Sequence, residues 1–207
     1  DPLALVAGWL RDRGLGSGAV AIEETNRYFI VDGLMRNLPT ATLKSGAPVV
    51  RGCRMIKSPA EIALMQHAAD ITMAAYRYTI PRVEAGMRPS DIGRLMNQAT
   101  VALGGDPEFA LVLLGEAAAY PHGSGKPQAV KPGEVVLMDC GCTVEGYQSD
   151  ISRTFVHGDA TAKQRKVWSE VRRGQQIAFE AAKLGAPAGS VEDRKSTRLN
   201  SSHTDIS

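Results

Sequence analysis

Asp139 and Asp150 bound the segment DCGCTVEGYQSD (139–150), which reads as a strand, a turn and the start of a returning strand. A turn at Val144-Glu145-Gly146 sets the two aspartates directly opposite each other. Directly opposed side chains have Cβ atoms about 4.5–5.5 Å apart on one face of a hairpin. Two ionised carboxylates held that close repel, unless one is protonated or a cation lies between them. Hard oxygen donors at this separation suit Mn, Co, Zn or Mg, and such a pair can hold two ions about 3.5–4 Å apart. Spacing alone leaves open the alternative that one aspartate caps a turn while the other faces solvent. His122, in the loop segment YPHGSG, is either a further polar group of the same site or an ordinary surface histidine. Cys140 and Cys142 alternate with Asp139 along the strand. They therefore point to the opposite face and read as small core side chains, not as co-ligands.

These groups need elements to position them. VVLMDCG (135–141) opens a hairpin, YQSDISRTFV (147–156) is its return strand, and Gly146 accepts the positive φ of a turn. FALVLLG (109–115) is a buried strand, and YPHGSGKPQAVKPGE (120–134) is a loop rich in Gly and Pro. Upstream, SPAE (58–61) is a helix start in which Ser58 caps, Pro59 takes the first helical position and Glu61 bonds back to the cap. Ile62, Met65, Ala69, Met73, Tyr76 and Ile80 follow at steps of three and four and form the apolar face of that helix, which Pro81 ends. A second helix starts at Ser90 or Asp91 and stops at Gly104-Gly105, and a third runs over 162–184 from a Thr161/Gln164 capping box to Gly185. The first residues add a helix over 3–13, a strand over 19–23 and a helix over 27–38, an α/β pattern too small to stand alone.

Composition narrows the functional classes. Hydrophobic residues make up 43% of 207, enough for a real core, and 24 basic against 22 acidic residues leave a net charge of +2. Charge so evenly balanced asks for neither nucleic acid nor an anionic membrane. The longest apolar runs fall far short of the roughly 20 residues that span a bilayer. Three cysteines without framework spacing favour a reducing compartment, and the cytoplasm is the expected location.

KPGEVVLMDCGCTVEGYQSDISRTF (131–155), preceded by PHG (121–123) and RMIKSPAEIALMQHAADI (54–71), resembles the M24 metallopeptidase family of pita-bread fold. That family includes Xaa-Pro dipeptidase, aminopeptidase P and methionine aminopeptidase. The resemblance implies an α/β (α+β) fold: residues 53–192 as the N-terminal half of a pita-bread catalytic domain, and residues 1–52 as the end of a creatinase-type N-terminal domain. Methionine aminopeptidases lack that preceding domain and fit less well. Residues 193–207 contain DRKSTRLNSSH, which looks like a translated sequencing adapter, so they read as a non-native tail.

Carried over residue by residue, the resemblance makes Asp139 the aspartate that chelates one metal ion and Asp150 the one that bridges two. His122 becomes the histidine that hydrogen-bonds the substrate and steadies the tetrahedral intermediate. The implied cofactors are two divalent ions, Mn, Co or Zn, which lower the pKa of a shared water. The implied substrates are short proline-containing peptides cut at the Xaa-Pro bond, and the complete protein is expected to be a homodimer. The family's other ligands, a histidine and two glutamates, have no counterparts here, since His203 and Glu192 lie outside its motifs. The chain therefore reads as a fragment that is inactive as given, with apolar surface exposed near Val135, Leu137 and Phe155. The alternatives are a creatinase-like amidinohydrolase and a non-catalytic pita-bread binding module.

Overall fold

The structure, a computed structural model, describes residues 1–191. The tail over 193–207 lies outside the described residues. The chain divides into two compact units, Asp1–Ala63 and Leu64 onward.

The first unit contains α1 (Pro2–Asp12), β1 (Ala19–Ile22), α2 (Tyr28–Asn37), β2 (Thr42–Ser45) and α3 (Ala47–Met55). Asp1 caps α1 by accepting from the Leu3 N–H at 2.9 Å. β1 and β2 pair in parallel, Ala19 beside Thr42 through Ile22 beside Ser45. Parallel neighbours need a crossover, and α2 is that crossover. Ala7, Leu34 and Leu38 form the buried centre, with Leu3, Val20 and Leu43 packed against it. Sequence reading finds α1, β1 and α2 close to their bounds. It misses β2, whose TLKS has a single apolar side chain, and α3, where Gly52 weakens the helical signal.

α4 (Pro59–Thr79) starts as its sequence demands. The Ser58 N–H donates to Glu61 Oε2 at 2.7 Å and the Glu61 N–H to Ser58 Oγ at 3.3 Å. Its buried face matches the expected one only in part: Tyr76 is buried and Met73 and Ile80 pack against the core. Ile62 and Met65 are 56% and 39% exposed, while Ala68, Ile71, Thr72, Ala75, Tyr76 and Thr79 are buried. Small and hydroxyl-bearing side chains let a helix approach a sheet closely, and the hydroxyls find partners on that sheet. A stripe that looks weakly apolar in sequence is therefore the one that packs.

The rest of the second unit is α5 (Pro89–Ala102), β3 (Asp106–Leu114), β4 (Val135–Val144), β5 (Tyr147–Gln148), β6 (Ile151–Val156) and α6 (Ala162–Ala181). α5 begins at Pro89, just ahead of the expected Ser90 or Asp91, because Asp91 Oδ2 accepts from the Arg88 N–H at 2.9 Å and makes Arg88 the cap residue. β4 is central in an antiparallel sheet, with β3 on one side and β5 and β6 on the other. Tyr76, Ile92, Met96, Val112, Val136, Met138 and Cys140 make the core beneath it. α6 carries the expected capping box, Thr161 N–H to Gln164 Oε1 at 2.7 Å and Gln164 N–H to Thr161 Oγ1 at 3.2 Å. It ends at Ala181, three residues short of the expected 184.

Hairpin register departs from the sequence expectation. The turn is made by Glu145 and Gly146 alone, with φ of 48° and 80°, and Val144 already pairs with Tyr147. Positive φ at both central residues is the type I′ geometry that matches strand twist in two-residue hairpins. Asp139 consequently lies opposite Ser152, not Asp150.

Candidate functional site

Strand alternation sorts the side chains of β4 into two sets. Val136, Met138, Cys140 and Cys142 face the helices and are buried. Leu137 and Asp139 take the other face and are half-buried. Burial pushes the Cys140 thiol up to about 11, so at neutral pH it is a protonated core group. The two cysteines are core side chains, as their alternation with Asp139 implies.

On the open face, Asp139 stands between Leu111 of β3 and Ser152 of β6. Ser152 Oγ donates to Asp139 Oδ1 at 2.6 Å. A shallow cleft of about 310 Å³ opens here, and its walls include Leu111, Leu137, Tyr120 and Pro121 beside Asp139 and Ser152. Ser152 is the residue that sequence reading missed. Its signal was its parity, since it follows Asp150 by two along a strand and must share its face.

Asp150 sits in a gap between β5 and β6 where regular pairing lapses over Ser149 and Asp150. Register is the same on both sides of the gap, Thr143 with Gln148 and Cys140 with Ile151, so no residue is inserted or lost. Asp150 therefore keeps the face of Ser152 and is the diagonal neighbour of Asp139. Diagonal neighbours on one face lie about 7–8 Å apart at the backbone, still within reach of a shared ligand. The position opposite Asp150 is Gly141. A Cβ there would collide with the Ser149 carbonyl and would stand 2.7 Å from the Phe109 ring. Only glycine lets β4 and the Asp150 segment run this close.

His122 lies in the turn that follows a short 3₁₀ helix over Gly115–Ala119. Its neighbour Pro121 lines the cleft, and its neighbour Gly123 packs so tightly that an added Cβ would come 2.5 Å from Leu113 Cδ2. His122 itself is exposed and is not among the cleft's lining residues.

Neither Asp139 nor Asp150 is ion-paired with a Lys or Arg among the described residues. Two hard, unpaired carboxylates on one face fit a divalent cation in donor type. Among the described residues no group of three or more His, Cys, Asp or Glu side chains comes together to hold a metal ion. No described helix is long and apolar enough to cross a membrane.

Residues 63–201 match the model of metallopeptidase family M24. An uncharacterized peptidase of Schizosaccharomyces pombe is 38% identical over 175 residues, which cover 83% of this chain and 38% of that protein. The Xaa-Pro dipeptidase of Pyrococcus furiosus is 29% identical over 175 residues, covering 84% of this chain and 50% of that protein. The chain thus spans half or less of the length of these curated relatives. Its α/β fold matches the crystal structure of a dipeptidase from Pyrococcus horikoshii OT3 with a TM-score of 0.86 and 27% identity, over 98% of this chain and 57% of that one. Motif order, shared fold and the carboxylate-bearing hairpin agree, and the chain belongs to metallopeptidase family M24.

Proposed function

We propose that the complete protein hydrolyses the Xaa-Pro bond of short peptides with two divalent metal ions, Mn, Co or Zn, to which Asp139 and Asp150 contribute ligands. The observation that carries this reading is the placement of two unpaired carboxylates, in diagonal reach on one sheet face, in an M24 chain. The name of the Pyrococcus furiosus relative, Xaa-Pro dipeptidase, supports the substrate class. Divalent ions at such a site supply Lewis acidity and a lowered pKa for water. Ser152 orients the Asp139 carboxylate by its hydrogen bond, leaving Oδ2 free to ligate. Leu111, Leu137 and Pro121 give the cleft apolar walls that suit an apolar ring. His122, beside the cleft, donates to the scissile carbonyl as it becomes tetrahedral. Residues 1–52 belong, in the same proposal, to a creatinase-type domain ahead of the catalytic one. A homodimer working in the cytoplasm completes it, the free thiols of Cys53, Cys140 and Cys142 suiting a reducing compartment.

The test assays full-length protein on Xaa-Pro dipeptides and longer Xaa-Pro peptides with added Mn, Co or Zn. Hydrolysis abolished by chelation and by Asp139→Asn or Asp150→Asn is the expected result. A folded, metal-loaded protein that ignores these peptides, but cleaves creatine or only binds a protein partner, overturns it.

A further inference from the structure

Asp150 is carried by an awkward piece of backbone. Ladder pairing lapses at Ser149 and Asp150, and β6 has only β4 as a strand neighbour among the described residues. A ligand held by such a segment needs support from elsewhere, since metal and catalytic geometries tolerate displacements of only about 0.5 Å.

The support comes from α4. Thr72 and Tyr76, one helical turn apart, are each 1% exposed and reach the sheet on either side of Asp150. Thr72 Oγ1 lies 2.7 Å from Ser149 Oγ. Ser149 is tied in turn to β4, its Oγ accepting from the Cys142 N–H at 3.0 Å and its own N–H donating to the Cys142 carbonyl at 2.9 Å. Tyr76 Oη lies 2.6 Å from the Ile151 carbonyl and 3.0 Å from the Met138 carbonyl. Ser149 and Ile151 flank Asp150, and Met138 precedes Asp139. One buried phenol thus clasps the backbones that carry both carboxylates, and one buried threonine holds the other flank.

We infer that Thr72 and Tyr76 are positioning residues of the carboxylate pair, fixing Asp150 relative to Asp139 so that the two can share a metal centre. The inference rests on the proposed metal site. It explains why the buried stripe of α4 carries hydroxyls where aliphatic side chains would satisfy packing alone. Burial raises the Tyr76 phenol well above its ordinary pKa, so it stays a donor across the working range of an enzyme.

The experiment compares Tyr76→Phe, Thr72→Val and Thr72→Ser in the full-length protein with Thr100→Val. Thr100 is likewise buried, and its hydroxyl donates to the Met96 carbonyl at 2.9 Å within its own helix α5, not to the hairpin backbone. Mn²⁺ affinity is measured by calorimetry on samples whose circular dichroism shows them folded, and kcat and KM are measured alongside. Loss of an outer support typically costs about 10–100-fold in metal affinity or activity. Tyr76→Phe and Thr72→Val should each lose at least about 10-fold in Mn²⁺ affinity, with the loss of activity in kcat and not KM. Thr72→Ser, which keeps the hydroxyl, should recover wild-type affinity, and Thr100→Val should bind metal normally. If Tyr76→Phe does not fold, the contrast between Thr72→Val and Thr72→Ser decides. Tyr76→Phe and Thr72→Val binding Mn²⁺ as Thr100→Val does, while Asp150→Asn abolishes binding, overturns the positioning role alone. Asp150→Asn binding Mn²⁺ normally overturns the metal site itself.

Discussion

Asp139 and Cys140 are neighbours on β4 and meet opposite environments, because alternation turns one toward the cleft and the other into the core. The thiol's raised pKa follows from burial, whereas Cys53 is exposed. Alkylation of the native protein near pH ~8 should therefore modify Cys53 and spare Cys140 and Cys142, with all three modified after denaturation, as read by mass spectrometry. Alkaline stability carries the same signature. The folded thiol holds its proton up to about 11 against an ordinary 9.0, so the unfolded chain ionises first as pH rises. Its contribution is complete below 9.0 and is lost toward about 11. Cys140→Ala should show a smaller loss of stability than wild type over that interval in denaturant melts. At the proposed metal site, Asp150→Asn removes a charge from the cation pair, while His122→Ala removes one donor to the substrate, typically about 10²–10³-fold in rate. The asparagine variant should lose more activity, and its metal content should fall while that of His122→Ala does not. Equal losses with unchanged metal in both would contradict the assigned roles.

At the scale of elements, the β4 hairpin is governed by its turn. Glu145 is the sole described non-glycine residue with positive φ, at 48°. An L-residue with a Cβ is disfavoured there by about 1–2 kcal/mol, and asparagine tolerates the conformation far better. Glu145→Asn should stabilise the protein by about 0.5–1 kcal/mol and raise the melting temperature by about 1–4 °C. Metal affinity should not change, since the register is kept. A fall in melting temperature would mean that Glu145 makes an interaction stronger than the strain it bears.

At the scale of the molecule, α6 carries Val167, Trp168 and Val171 at 55%, 56% and 65% exposure. They stand beside a groove of about 910 Å³ that Val135 and Phe155 also line. Exposed apolar surface is expected near Val135, Leu137 and Phe155; those three are half-buried, and the exposed apolar side chains of the groove that Val135 and Phe155 line come from α6. Metal binding has a matching prediction at this scale. Two carboxylates, with no third ligand converging among the described residues, leave most of an ion's coordination to water. The 207-residue chain should bind Mn²⁺ at least about tenfold more weakly than the full-length protein in calorimetry. Equal affinities would mean that this chain already holds the whole ligand set.

The sequence by itself determined the helix starts at Ser58 and Thr161, the two-faced character of β4 that separates Asp139 from Cys140, and the motif order that points to the family. These are short-range matters: a cap closes within three residues, and side-chain alternation has a period of two. Only the tertiary structure decided the register that sets Asp139 against Ser152. It turns on Glu145 adopting a left-handed conformation that glutamate does not advertise. The same holds for the face of α4, where Thr72 joins the expected Tyr76 while Ile62 and Met65 stay exposed, because the sheet opposite offers Ser149 and two carbonyls as partners. A helix face or a strand register is selected by the surface it meets, and that surface is built from residues distant in the chain.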